Sequence, residues 1–215
     1  KNLDKDSITK ALDVIKALVD SNKITRKQEM YSLETATILS SLHMDNDSII
    51  VALLLLSFHE KHLNKESVAD KFGNAIVELI NGVIKMDAIK NIQGKLEATG
   101  DIVNNEHKAD QLRKMFIAMV SDPRVVVIRL ADHLCELRSA TKESIEVKTK
   151  LANETRLIYG PLANRLGIGQ IKWELEDLAF RYLESDTYKS IAKLLDEKRI
   201  DRDNYIHELI ANIKN

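Results

Sequence analysis

The chain has 215 residues, with 32 Lys or Arg against 33 Asp or Glu, a formal net charge of −1. Both signs are interleaved through a sequence that is 30% charged, which predicts a well-solvated surface without the basic excess of a nucleic-acid binder. One cysteine, Cys135, excludes an internal disulfide framework and suits a reducing, cytoplasmic compartment, and the length allows one domain, residues 1–215, with a substantial core.

Only two prolines and seven glycines punctuate the chain, and alternating apolar and polar patterns are nearly absent, so the expected fold is all-α, a bundle of about ten helices. The first helix is expected in "DSITKALDVIKALVDSN", with Ile8, Leu12, Ile15, Leu18 and Val19 inward and Asp6 or Ser7 as cap. A second carries Leu33, Ala36, Leu39 and Leu42. The third, "DSIIVALLLLSFHE", has eight consecutive apolar residues from Ile49 to Leu56, well short of the roughly 20 that span a membrane. Apolar all round and capped by Asp45 or Asp47, it is expected at the centre of the bundle, with His59 and Glu60 reaching the surface or a cleft.

Beyond it, "NKESVADKFG" predicts a short capped helix, and "NAIVELINGVIKM" an amphipathic one on Ile76, Leu79, Ile80 and Val83. Residues 87–105 are the least periodic stretch and read as either a mobile surface loop or a poorly ordered segment. Helices resume with "EHKADQLRKMFIAMVSD", stop at Pro123, and continue as "RVVVIRLADHLCELRSA", with Val126, Val127 and Leu130 in the core. Gly160 with Pro161, and Gly167 with Gly169, are read as helix ends, and Ser185 or Asp186 as the cap of "YKSIAKLLDEKR". Trp173, Leu178 and Tyr182 are expected to pack inward. No targeting leader follows Lys1, and the closing "HELIANIKN" still reads as helix, so the chain reads as a piece of a longer protein.

Few residues announce chemistry. His43, His59 and His62 with Glu60, and the pair Asp132 and His133, are ligand types at poor spacing; helix-end solvation or ion pairing explains them more simply. Glu174, Glu176 and Asp177 carry no sign of the cleft an acid–base pair needs. A phosphate-binding glycine loop, a Ser/His/Asp arrangement and a metalloprotease motif are absent from the sequence.

"YGPLANRLGIGQIKWELEDLAFRYL" followed by "YKSIAKLLDEKRIDRDNYI" closely resembles the RelA/SpoT family of long alarmone enzymes. "YSLETATILSSLHMDNDSIIVALLLL" and "RKMFIAMVSDPRVVVIRLADHLCELRSA" are similar to the same family's N-terminal hydrolase domain, so the likeness covers essentially the whole chain. It implies an all-α HD-domain bundle. In active members that domain removes pyrophosphate from the 3′ position of (p)ppGpp with manganese held by a His, a His-Asp pair and a later Asp. The first His of "HPLEVA" is Tyr31 here, the His-Asp of "AALLHD" is Leu55 and Leu56, and the last ligand is Asp132. The catalytic Glu-Asp pair falls on His59 and Glu60, the Asn after the last ligand on Glu136, and a nucleotide-contacting Arg near Asn22, with Lys23 beside it.

The resemblance therefore implies a degenerate hydrolase domain of the RelA type, members that make (p)ppGpp but have lost hydrolysis. On this reading manganese is lost and the domain holds no cofactor. A GTP pyrophosphokinase synthetase follows in cis, with magnesium at its own site, and the parent works beside ribosomes in the stringent response without direct nucleic-acid contact or membrane association by this domain. Two other readings stand beside it: a guanine-nucleotide-binding allosteric module using Lys23, and an active metal-dependent hydrolase rearranged around Asp132, His133, His59 and Glu60.

Overall fold

The computed structural model describes residues 5–97, 114 and 122–195. Among these there are nine α-helices: α1 (Lys5–Asp20), α2 (Arg26–Ser41), α3 (Asn46–His59), α4 (Lys65–Phe72), α5 (Asn74–Glu97), α6 (Pro123–Ser139), α7 (Ile145–Glu154), α8 (Gly160–Arg165) and α9 (Gly169–Leu183). A single 3₁₀ turn (Ala140–Lys142) follows α6, a π turn (Thr155–Tyr159) joins α7 to α8, and residues 185–195 are helical again. No strand occurs among the described residues. The all-α expectation holds.

Local chemistry sets most of the starts. Thr25 and Gln28 form a capping box at α2; Asp45, rather than Asp47, accepts from the Ser48 amide at 3.1 Å and caps α3; Asn64, Asp122 and Ser144 cap α4, α6 and α7. Pro123 sits in the first turn of α6, where its missing N–H costs no hydrogen bond. Each of the first three helices gives way to a residue in the left-handed region, Asn22, His43 and Lys61.

The core forms around α3. From Ser48 to Leu55 every residue is buried, and the helix packs against α1, α2, α5 and α6. An unbroken apolar run leaves no polar face to put in water, so the centre is the position where all sides find apolar partners. Ile76, Leu79, Ile80 and Val83 line the inner face of α5 as expected, and Val126 and Leu130 that of α6, with Val127 half-buried.

The caps expected at Asp6 or Ser7 and at Ser185 or Asp186 lie inside helices, and four further expectations change. Leu12 is 38% exposed, and Ala11 takes the inner place on α1. Residues 87–97, read as loop, continue α5; the rest of that loop, and "EHKADQLRKMFIAMVS" apart from helical Lys114, lie outside the described residues. Gly160 and Pro161 do not end a helix: the π turn shifts the hydrogen-bond register just before them, and Pro161 falls in the first turn of α8. Trp173 is 72% exposed, not packed inward, while Leu178 and Tyr182 do lie against the core.

Candidate functional site

On an α-helix, residues 129, 132, 133 and 136 share one face. In α6 that face carries Arg129, Asp132, His133 and Glu136, a charged stripe on a helix with ten buried residues. Tyr31 from α2, Asp87 from α5, and Thr155 and Tyr159 from the π turn close over it.

Arg129 is the centre of this cluster, with a side chain only 4% exposed. Its Nε donates to Asp87 Oδ1 at 2.7 Å, one terminal nitrogen to Asp132 Oδ2 at 2.9 Å, and the other to Glu136 Oε1 at 3.4 Å. The Tyr159 ring lies 5.3 Å from the guanidinium carbon. Burial opposes the Arg129 charge, but the Tyr159 ring and the carboxyl groups of Glu136, Asp132 and Asp87 outweigh it and hold its pKa well above the ordinary value. Arg129 is a permanent cation at the point where three carboxyl groups converge.

Asp132 is fully engaged. Tyr31 donates its hydroxyl to Asp132 Oδ1 at 2.8 Å and contacts the Asp132 main-chain oxygen at 3.1 Å, while Arg129 holds Oδ2. Burial lifts the Asp132 carboxyl above the usual range; Arg129 and the Tyr31 hydrogen bond pull it back, and Glu136 and Asp87 add to the rise. Burial together with the neighbouring Asp132 and Glu136 raises the Tyr31 phenol, so it stays protonated and serves as donor.

His133 turns the other way, fully buried and stacked on Tyr159 at 3.8 Å between ring centroids. Its Nε2 is 2.8 Å from Thr155 Oγ1 and its Nδ1 is 3.1 Å from Glu136 Oε2. The Thr155 hydroxyl donates to Leu151 O at 2.8 Å, so Nε2 carries the hydrogen shared with Thr155. The polar chain thus runs from Tyr31 through Asp132, Arg129, Glu136 and His133 to Thr155.

The other expected site residues are divided between core and cleft. Leu55 is 2% exposed and belongs to the core, whereas Leu56 is half-buried and lines an open cleft of ≈ 820 Å³ with Lys27, Tyr31, Glu34 and Glu60. Glu60 accepts from the Gln28 amide and lies 3.4 Å from His62; His59 reaches Asp87 at 3.6 Å. Lys23 is exposed and does not line the cleft, so the cation that does so is Lys27. Asp132 is ion-paired, as the simpler expectation had it, with Arg129 as partner, and His133 is buried against Thr155 and Tyr159. Asp87 and Arg129 escaped the sequence reading. Arg129 was detectable as the residue one turn before Asp132; Asp87 was hidden in the stretch read as loop.

A manganese ion does not fit these residues. Both oxygens of Asp132 are taken, Tyr31 and Leu55 offer no imidazole, and the carboxyl groups are spaced around a guanidinium. Among the described residues no group of three or more His, Cys, Asp or Glu side chains is placed to hold a metal. Nor is any described helix long and apolar enough to cross a membrane.

The family model of the HD domain matches residues 11–169, most of the chain and all of the cluster just described. The chain belongs to the HD domain family. Its HD domain is of the RelA/SpoT kind: it is 40% identical over 204 residues to a GTP pyrophosphokinase of Haemophilus influenzae, covering 94% of this chain and 27% of that protein. It is 42% identical over 182 residues to the GTP pyrophosphokinase of Escherichia coli, covering 85% and 24%. A probable guanosine-3′,5′-bis(diphosphate) 3′-pyrophosphohydrolase of Synechocystis is 38% identical over 173 residues, covering 80% and 21%. The chain spans about a quarter of the length of these relatives.

Proposed function

We propose that this HD domain is inactive as a (p)ppGpp hydrolase and serves as a regulatory and structural element for an adjoining (p)ppGpp synthetase. The observation that carries the reading is the state of Asp132, the last residue at a ligand position. One oxygen accepts from Tyr31 and the other from Arg129, a cation that cannot leave as an ion leaves. Leu55, at a second ligand position, contributes buried apolar area worth roughly 1.5–3 kcal/mol, so the replacement favours the fold. The names of the relatives support the parent activity, transfer of pyrophosphate from ATP to GTP or GDP, which lies outside this domain.

Trp173 is the basis for placing the partner. An indole 72% exposed on α9, flanked by Lys172, Glu176 and Asp177, is the kind of aromatic anchor that protein interfaces use, and in this reading it meets the synthetase. Charge reversal at Asp177 in the full-length enzyme is expected to alter synthetase output without unfolding the domain.

Metal analysis after dialysis, paired with a ppGpp turnover assay, tests the inactive reading. The expected result is no stoichiometric manganese and no pyrophosphate release. About one manganese per chain, with turnover abolished by Asp132→Ala, would overturn it. Guanine-nucleotide calorimetry on the same protein separates a binding module, which saturates without turnover, from a purely structural domain.

A further inference from the structure

A second groove, ≈ 480 Å³, opens where the π turn, α8 and α9 meet; none of the positions assigned to alarmone chemistry lines it, although Thr155 of its lining is 2.8 Å from His133. Its size is that of small-molecule sites, roughly 300–1,000 Å³. Pro161, Ala179, Phe180 and Leu183 supply its apolar lining, and Phe180 is held edge-on by Tyr188 at 5.8 Å between ring centroids. Gly160 keeps the groove open: a Cβ there would meet Thr155 O at 3.1 Å and Glu176 Cγ at 3.6 Å.

The charges around this lining are of two kinds. Lys172 and Glu176 face each other at 3.9 Å and offset one another. Arg156, on the π turn, and Glu184, at the end of α9, make no side-chain hydrogen bond or ion pair among the described residues, and they do not pair with each other. The Asn164 amide is also exposed and unpartnered among those residues. The groove therefore offers an unpaired cation with an amide donor, an unpaired anion, and an apolar surface, on elements fixed by the fold.

The geometry points to a binding site for a small zwitterion with an apolar body, of the free amino-acid or short-peptide class. Its carboxylate meets Arg156 and Asn164, its ammonium meets Glu184, and its side chains cover Phe180, Leu183 and Ala179. A guanidinium matches a carboxylate in planar, charge-assisted hydrogen bonds, and pairing both ligand charges satisfies two protein charges at once. Neither a nucleotide polyphosphate nor a hydrocarbon matches this set: the first has no use for Glu184, and the second none for either charge.

Trp173 provides the readout, because it is the chain's one tryptophan and its ring lies 5.4 Å from Lys172 Nζ at the groove's edge. The probe is the dipeptide Phe-Leu, titrated against the whole chain by tryptophan fluorescence and calorimetry. Saturable binding is expected, weakened about tenfold or more, ≈ 1.4 kcal/mol, when both peptide termini are capped. Arg156→Gln should weaken the dipeptide similarly yet leave its C-terminal amide unaffected. Glu184→Gln should do the same for the free peptide against its N-acetyl form. Both side chains are exposed, so circular dichroism should show an unchanged fold. Absence of saturation at millimolar dipeptide, equal binding of the doubly capped peptide, or indifference to either substitution would overturn the assignment.

Discussion

Tyr31 on α2 and Asp132 on α6 are 101 positions apart in sequence and are joined by a hydrogen bond of 2.8 Å. On the proposed reading, the phenol takes the position of the family's first metal-binding histidine and spans to the carboxylate at the last ligand position. Arg129 completes the exchange by occupying the second oxygen. These contacts tie the two helices together.

Tyr31→Phe removes the donor and leaves Asp132 Oδ1 without it in a largely buried place. The expected cost is about 1–3 kcal/mol, the range for a buried acceptor left without its donor. Chemical denaturation at neutral pH checks it; a loss below about 0.5 kcal/mol would mean water replaces the hydroxyl at no cost.

Arg129→Gln should be far more damaging, about 3–5 kcal/mol, because it leaves Asp87, Asp132 and Glu136 together without their cation. Neutralising a carboxylate should compensate, so Arg129→Gln with Asp132→Asn is expected to be more stable than Arg129→Gln alone. Failure of that recovery in denaturant melts would show that Arg129 acts by packing rather than charge.

Gly82 tests the contact between α5 and α6. A Cβ built there lies 2.7 Å from Val125 Cγ2, closer than real Cβ contacts come. Alanine improves helix propensity by about 1 kcal/mol, but overpacking costs about 1–3 kcal/mol, so Gly82→Ala should destabilise or at best break even. In a double-mutant cycle Val125→Ala should relieve the cost, and strict additivity would place the clash elsewhere.

Arg124 gathers Asp122 at 2.6 Å, Asp47 at 3.5 Å and Asp45. Its hydrogen bonds hold the Asp122 carboxyl below the usual range; for Asp45 burial works against the charge, but Ser48 and Arg124 prevail and its pKa also falls. Depressed carboxylates contribute stability above their unfolded pKa, about 3.9, and lose it as pH falls through the folded value. Arg124→Gln should lower Tm at pH 7, and its deficit should shrink below about pH 4. A deficit independent of pH would assign the loss to packing.

Rebuilding the ligand set by Tyr31→His, Leu55→His and Leu56→Asp should cost several kcal/mol without metal, since Leu55 lies in the core. Added manganese should recover part of that loss through binding to the folded state, limited because Arg129 contests Asp132. Turnover of ppGpp should stay negligible, as His59 and Glu136 leave the remaining chemistry unrepaired. Thermal melts with and without manganese check the first two outcomes, and rapid turnover would show that metal loss alone had silenced the site.

Periodicity and end chemistry by themselves determined the helical class, the central place of α3, the inner face of α5 and the cap at Asp45, because each depends on residues within a turn or two. The family likeness was legible for a related reason: it rests on identities at positions along the chain. Only the tertiary structure decided the rest. Asp87 and Arg129 lie 42 positions apart and meet because α5 and α6 pack. Trp173, Leu178 and Tyr182 were expected inward on their apolar character alone; on a helix Trp173 falls on the side of α9 opposite Tyr182, and the indole is left in water. Hydrophobicity states a preference for burial; the supply of partner surface determines which side chains obtain it.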